Sequence, residues 1–391
     1  MKALFCHDGP TYIDNKGNYY ACVLTDEIID RYFYICNEFT LVNRLRMIEN
    51  GRNYVPVNHK KTKIVEVPDI TSINGIIKNR KKAKEIVEEE VKKCDFVIAR
   101  LPGFIGAYGV KYARKWQKPY FIEMVGCPLD ALWNHSLRGK MLAPFMYLYT
   151  KKILKDSQNT IYVTNEFLQK RYPSKGMQIG CSDVEIVIEK SVIEKRIKKI
   201  NDMDKNIISL GTIGTLNMKY KGYDTVIKAI SELNKKGNKK YYYKIIGAGN
   251  KSWIEYNINK YKMEKYVEIF EAVPHNQISE WLDKEVDIYI QPSRTEGMPR
   301  ALIEAMSRAC PAIGSNAGGI PELLDDKYIF RKNNWKQLSE KIVLLHQEEM
   351  KNQSNRNFNI SEQYEKIKLE KIRKEFYDLF MIQNFKEKKS D

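Results

Sequence analysis

The chain has 391 residues, 43% of them apolar, and carries 66 Lys and Arg against 49 Asp and Glu, a formal net charge of +17. That length exceeds one ordinary core and predicts two globular domains of roughly 150–200 residues each. The charge is uneven: residues 1–200 hold 34 basic and 22 acidic side chains, net +12, and residues 201–391 hold 32 and 27, net +5. A basic first half suits an anionic partner surface, nucleic acid or the inner face of a membrane. A genome that favours Lys and Asn gives the same excess.

In chain order, Lys2–His7 reads as a strand, Thr25–Cys36 as helical and Glu38–Val42 as a strand. Ile77–Val91 is a charged helix, Asp95–Ala99 a strand, Tyr108–Trp116 a helix, and Pro119–Val125 and Thr160–Thr164 are strands. Arg138–Lys155 mixes apolar side chains with basic ends. It reads as an interfacial helix touching acidic lipid or as a core helix with solvated lysines. After a polar, basic stretch at Lys195–Asn206 the alternation resumes. Ile207–Gly214 is a strand, and Tyr223–Asn234 a helix with Val226, Ile227, Ile230 and Leu233 on one face. Tyr241–Ile246, Val267–Phe270, Val286–Ile290 and Pro311–Gly314 follow as strands, with helices at Ser252–Lys262, Gln277–Asp283 and after Pro299. Ile360–Asn384 is amphipathic. Short apolar strands between helical patterns imply βαβ units and parallel sheets. The expected fold is therefore α/β, two Rossmann-like doubly wound domains facing across a cleft, with the C-terminal helix crossing back. The expected divisions are 1–195, a hinge at 196–206, a second domain at 207–355, and a helix with a polar tail at 356–391.

Seven dispersed cysteines (Cys6, Cys22, Cys36, Cys94, Cys127, Cys181, Cys310) form no CxxC pair. They predict reduced thiols in a cytoplasm, with neither a disulfide framework nor a zinc site. The start MKALFCHDG has no long apolar run, so no signal peptide is expected, and no window is apolar enough for a spanning helix.

The densest chemistry lies in Gln291–Leu323, QPSRTEGMPRALIEAMSRACPAIGSNAGGIPEL. A loop, Ser293–Met298, follows a strand, where ligands of open α/β sheets bind. Pro299 suits a first helical turn, and N–H groups at Gly297, Met298, Arg300 and Ala301 would point out of the helix start toward phosphate oxygens. Glu296 and Glu304 would lie about 12 Å apart at 1.5 Å per residue on a continuous helix. That span suits hydroxyls at the two ends of a nucleotide sugar. The competing reading is a solvated salt-bridge stripe through Arg300, Glu304 and Arg308, at i, i+4 and i+8. Gly318-Gly319, a second glycine turn at the next strand end, favours the ligand site.

Together, EGMPRALIEAM and PAIGSNAGGIPEL resemble the nucleotide-sugar signature of retaining glycosyltransferases of family 4, which have the GT-B fold. The resemblance covers about Ile207–Phe330, with YKGYDTVIKAI, IIGAGN, VPHNQISEWL and VDIYIQPSRTEG in the family's order. ARLPGFIGAYGVKYARKWQKPYFIEMVG and YVTNEFLQKRYP resemble members that build cell-surface polysaccharides. The resemblance implies that Lys221 contacts the donor diphosphate, Glu296 the transferred sugar and Glu304 the ribose, with the backbone after Glu296 holding the diphosphate. Where relatives place an arginine, this chain has Thr215, and Lys219 is the cation that could complete the clamp. Gly247 would line the donor site and Val273 would lie near the base. Gly9 and Gly17 are candidates for a flexible donor-side loop. Relatives carry a histidine where Val125-Gly126 stands here, so Glu123, Asp130 and His135 are the substitutes to test, Asp130 first, as a group that orients or deprotonates the acceptor hydroxyl.

The expected reaction is transfer of a sugar from a nucleoside-diphosphate sugar to a saccharide, free or carried on polyprenyl diphosphate, in capsule, exopolysaccharide or O-antigen-type synthesis. It needs no metal and no cofactor; Asp202-Met203-Asp204 has the letters of a DxD site but precedes a strand instead of following one. The expected place is the cytoplasm, peripheral at the inner face of the membrane. An inverting GT-B transferase or a sugar-nucleotide epimerase is the alternative within enzymes. A non-enzymatic basic binder of membrane or nucleic acid is the alternative outside them, and no helix-turn-helix or aromatic RNA motif supports nucleic acid.

Overall fold

The computed structural model describes residues 1–21, 24–49, 51, 54–237 and 239–386, so Cys22 lies outside the described residues. The chain divides into two compact units. The first takes Met1–Pro128, Phe145–Cys181 and the chain from Lys371 onward; the second takes Leu129–Pro144 and Ser182–Glu370.

In the first unit the strands are β1 (Lys2–Ile13), β2 (Tyr19–Ala21), β3 (Glu38–Met47), β4 (Val55–Pro56), β5 (Thr62–Glu66), β6 (Phe96–Leu101), β7 (Tyr120–Met124), β8 (Asn159–Tyr162) and β9 (Met177–Gly180). The parallel order is β5-β3-β1-β6-β7-β8-β9. The far half of β1 also takes β2 antiparallel, and β2 takes β4. A short helix α1 (Asp26–Asp30) precedes β3. Helices α2 (Ile73–Lys93) and α3 (Phe104–Lys115) cover one face. There Ala83, Val87 and Val91, four residues apart, bury against Leu4, Val97 and Ile105. The central strands β6 and β7 are mostly apolar and buried, with Arg100 and Glu123 their charged pair.

Helices α4 (Pro128–Trp133), α5 (Leu137–Lys155) and α6 (Phe167–Arg171) follow in the chain, and α7 (Val192–Asp202) leads into the second unit's sheet. Its strands are β10 (Ile207–Ile213), β11 (Lys240–Gly247), β12 (Val267–Glu271), β13 (Ile288–Gln291), β14 (Ala312–Ser315) and β15 (Ile329–Phe330). They pair in parallel in the order β12-β11-β10-β13-β14-β15. This is the doubly wound order in which the winding reverses between the first and fourth strands, here β10 and β13, the switch point where such sheets bind ligands. The intervening helices are α8 (Tyr223–Lys236), α9 (Ser252–Tyr261), α10 (His275–Glu285) and α11 (Arg300–Ser307); α12 (Trp335–Leu344), α13 (Gln347–Ser361) and α14 (Lys366–Met381) complete the chain. Val226, Ile227 and Ile230 of α8 join Leu210, Ile245, Ile288 and Ile313 in one core, with Leu233 packed at its margin.

The chain returns at α14, whose Phe376, Tyr377 and Phe380 rings lie 5.6, 5.7 and 5.2 Å from that of Phe121 in β7. The expected single segment Ile360–Asn384 is instead broken at Glu362–Tyr364, a 3-10 turn. Most of the expected hinge at 196–206 is helix, because α7 runs to Asp202. Arg196 is buried there and donates to the carbonyls of Leu282, Val286 and Arg308. Gly9 is no loop residue: β1 continues through it, with a register shift between Cys6 and Pro10. Gly17, at φ +81°, closes the β1–β2 hairpin. The Asp14 carboxylate organises that turn by accepting from Lys16, Asn18 and Tyr20.

Candidate functional site

At the β10/β13 switch point two loops are locked together. Glu296, 13% exposed at its side chain, accepts at Oε1 from Lys221 Nζ at 2.7 Å, Ser293 Oγ at 2.6 Å and Gln291 Nε2 at 3.0 Å. Among the described residues these bonds all fall on Oε1, which leaves Oε2 to accept from a ligand. Burial disfavours the Lys221 ammonium, but the charge and hydrogen bond of Glu296 outweigh it, and the lysine's pKa is raised. Lys221 is therefore a fixed positive charge at a strand-to-helix turn.

The turn is held from three directions. Gly222, at φ +78°, starts α8; a Cβ there would sit 2.1 Å from the Pro292 carbonyl, so only glycine permits the approach. Arg294 N donates to Tyr220 O at 2.7 Å, and the Arg294 guanidinium grips Asp224 with bonds of 2.8 and 2.6 Å and the Lys219 carbonyl at 2.7 Å. The next strand end closes the stack. Gly318, at φ +57°, lies where a Cβ would come 2.2 Å from the Glu296 carbonyl, and Gly319 N donates to Gly297 O at 2.8 Å. Gln291–Leu323 thus behaves as one folded object, with β13 and β14 presenting adjacent loops.

Helix α11 begins at Arg300, with Pro299 as its N-cap residue. Gly297, Met298 and Ala301 are half-buried around that start, Pro299 is buried and Arg300 is exposed. Glu304 is half-buried on the same helix. At the far end of the proposed stripe, Arg308 bonds Asp283, at 3.1 Å from Nε, and Glu189, at 2.6 Å from Nη1. Thr215 is exposed, and its carbonyl accepts from Tyr223 Oη at 3.3 Å. Lys219 lies 4.2 Å from the Trp253 ring centroid. Gly247 belongs to a cavity of about 570 Å³ whose wall includes Leu216, Phe270, Glu271 and Ala272; Val273 follows next in the chain.

The acceptor-side candidates separate. Glu123, 6% exposed, is the register partner of Arg100 across β6 and β7 and pairs with it at 3.0 Å, while Tyr32 Oη donates to its other oxygen at 2.8 Å. With those partners Glu123 forms a buried ion pair within the first sheet. Asp130 lies in the first turn of α4, and its carbonyl accepts from Asn134 Nδ2 at 2.9 Å. The same amide reaches Arg294 O at 3.2 Å, which ties α4 to the Ser293–Met298 loop. His135 is exposed.

One carboxylate was missed. Asp8, in β1, accepts from the backbone N–H groups of Phe104 at 3.0 Å, Ile105 at 2.9 Å and Gly106 at 3.5 Å, and so caps α3. Arg44 donates twice to the Asp8 carbonyl. Burial lifts the Asp8 carboxyl to about 6 against those lowering contacts.

On helix α5, Leu137, Met141, Phe145 and Leu148 are 80, 81, 62 and 63% exposed, on one stripe, while Ala143 and Leu154 are fully buried. Among the described residues no helix is long and apolar enough to cross a membrane.

Comparison with known proteins places these observations. Residues 192–361 match the family described as "Glycosyl transferases group 1". The chain is similar to Protein CapJ of Staphylococcus aureus, 32% identical over 335 residues, 85% of this chain and 83% of that protein. It is also similar to the amylovoran biosynthesis glycosyltransferase AmsK of Erwinia amylovora, 30% identical over 177 residues, 42% of this chain and 43% of that one. In structure it is similar to Anabaena HepE in complex with UDP-glucose, with a TM-score of 0.62, 12% identity, and coverage of 97% of this chain and 100% of that one. The fold is GT-B, with two parallel-sheet domains.

Proposed function

The chain belongs to the group 1 glycosyltransferases, and from that premise we propose that it is a retaining, family 4-type enzyme that moves a sugar from a nucleoside-diphosphate sugar to a lipid-linked saccharide. The observation that carries the donor half is the 2.7 Å Lys221–Glu296 contact at the switch point of the second sheet. Lys221 neutralises the diphosphate, where charge grows as the glycosyl bond breaks. The N–H groups at the start of α11 add to it. Glu296 Oε2 accepts from hydroxyls of the transferred sugar, and Glu304 from the ribose. The base occupies the cavity beside Gly247 and Val273. With an arginine absent at Thr215 and Lys219 turned to Trp253, Lys221 is the principal cation of the clamp.

Attack on the same face, with the departing phosphate taking the acceptor proton, gives retention without a covalent enzyme intermediate. Asp130 is the side chain assigned to orient the acceptor hydroxyl, since α4 is tied to the donor loop through Asn134. The reading requires no metal ion, and EDTA is expected to leave turnover unchanged. HepE was solved with UDP-glucose, which makes uridine diphosphate sugars the first donors to try. AmsK is named for amylovoran biosynthesis, which supports an extracellular polysaccharide as the product. The exposed stripe of α5 and the basic excess support work at the inner face of a membrane.

The test is a thermal-shift panel of nucleotides and nucleotide sugars, followed by turnover with the donor that stabilises the protein. Glu296→Ala should fold normally and lose transfer. Normal turnover in that variant rejects the donor assignment, and an inverted anomer in the product rejects retention.

A further inference from the structure

Behind Glu296 runs a buried chain of hydrogen bonds that begins inside the second sheet. Residues two apart on a strand share a face, so Tyr289 and Gln291 of β13 lie side by side. Both are buried, at 0 and 1% exposure, and so is Ser293, at 0%. Tyr289 Oη donates to Gln291 Oε1 at 2.9 Å. Gln291 Nε2 donates onward to Ser293 Oγ at 2.9 Å and to Glu296 Oε1 at 3.0 Å, and Ser293 Oγ donates to that same carboxylate oxygen.

The direction of every bond in the chain is fixed. The Ile213 N–H donates to Tyr289 Oη at 3.4 Å, which leaves the phenol proton for Gln291. Burial, with the charges of Glu304 and Glu296 beside it, pushes the phenol's pKa well up, so Tyr289 stays a donor. An amide turned the other way would bring its carbonyl to the Glu296 oxygen, acceptor against acceptor. The Gln291 amide therefore has one orientation, and it presents N–H to Glu296.

A second buried phenol in the same sheet gives the contrast. Tyr243 Oη donates to Thr212 Oγ1 at 2.9 Å, and Thr212 Oγ1 donates to the Ile290 carbonyl at 2.8 Å. That chain closes on backbone, which is all that satisfying a buried hydroxyl requires. The Tyr289 chain ends instead on a loop carboxylate at the switch point, on the oxygen that Lys221 also holds.

We propose that Gln291 and Tyr289 are positioning residues for the sugar end of the donor site: their relay pins Glu296 Oε1 and so turns Oε2 toward the hydroxyls of the transferred sugar. The proposal rests on the donor reading above. It separates two parts of that site, a nucleoside diphosphate held without the relay and a sugar held through it.

The experiment compares the affinities of a nucleotide sugar and of its free nucleoside diphosphate, UDP-glucose with UDP as the first pair, then the pair chosen by the thermal-shift panel. Gln291→Met keeps the length of the side chain and removes the amide. It should weaken the nucleotide sugar by about tenfold, the worth of a hydrogen bond to a charged group, and leave the free diphosphate within about twofold. Tyr289→Phe removes only the hydroxyl and should shift the same ratio by about threefold. A role confined to stability would lower the unfolding temperature without moving that ratio. An unchanged ratio in Gln291→Met, or an equal loss of both ligands, overturns the proposal. A crystal structure of ligand-free Gln291→Met tests it independently of any donor: the Glu296 carboxylate should leave its place, and a carboxylate unmoved overturns the proposal. If no nucleotide sugar binds the wild type while Glu296 moves in that variant, the donor reading fails and the positioning of Glu296 by Gln291 stands.

Discussion

The two units are built on the same kind of sheet and use its carboxyl edge in opposite ways. In each, the winding reverses beside the first strand, between β1 and β6 in one and between β10 and β13 in the other. In the first unit, Asp8 from β1 fills the start of α3 with the protein's own carboxylate. In the second, the loops after β10 and β13 meet through Lys221 and Glu296, and Pro299 gives α11 no side-chain cap. A helix start closed by an internal anion has no need of an external one; a cation poised beside an uncapped start does. The proposed place of the nucleotide diphosphate in the second unit rests on that difference.

The comparison can be broken most decisively at the clamp. Glu296→Ala and Lys221→Ala should each lower kcat/KM by about 10²–10³, the scale for removing a preorganised charge partner of a transition state. Steady-state kinetics would show it, and a drop below tenfold would count against both assignments. Next comes Gly318→Ala, which places a methyl group against the Glu296 carbonyl at a positive φ. It should cost about 1–3 kcal/mol in denaturant unfolding and raise the donor KM. Arg294→Lys keeps the charge but cannot hold both the Lys219 carbonyl, through Nη1, and Asp224, through Nη2. It should raise the donor KM by about tenfold with a smaller change in kcat, and an unchanged KM would remove Arg294 from the positioning of Lys221.

The smallest effect sharpens the other side. The Asp8 pKa, near 6 in the folded protein, exceeds its unfolded value, so the folded state binds more protons between pH 4 and 6. Its contribution to stability is complete below about pH 4 and is lost as the pH rises through about 6, by at most about 1.4 kcal/mol per pH unit. Asp8→Asn should flatten that slope in pH-dependent thermal unfolding. A slope unchanged from wild type would mean the cap does not titrate there.

What the sequence revealed follows the distance between partners. Glu296, Gly318 and the helix between them lie in one continuous stretch, and Lys221 heads a recognisable strand-helix turn, so each was legible as a candidate, while the Lys221–Glu296 contact, 75 residues apart, was not. Arg294 was not, because its partner Asp224 is 70 residues away. Asp8 was missed because the helix it caps begins 96 residues later. The buried pairing of Glu123 was not legible either, because Arg100 stands 23 residues back on the adjacent strand. The buried parallel strands of the second unit announced themselves as apolar runs. Edge strands β5 and β9, TKIVE and MQIG, carry polar residues and did not. Gly9-Pro10 reads as a turn, yet β1 crosses it because β3 continues to pair on the far side.

The central claim is that the donor diphosphate belongs to the second unit's switch point and not to the first's. Titration calorimetry of UDP against wild type, Lys221→Ala and Asp8→Asn tests it directly. The account predicts a loss of about tenfold or more in Lys221→Ala, the worth of a charged hydrogen bond, and wild-type affinity in Asp8→Asn. Wild-type affinity in Lys221→Ala, or an equal change in both variants, would contradict it.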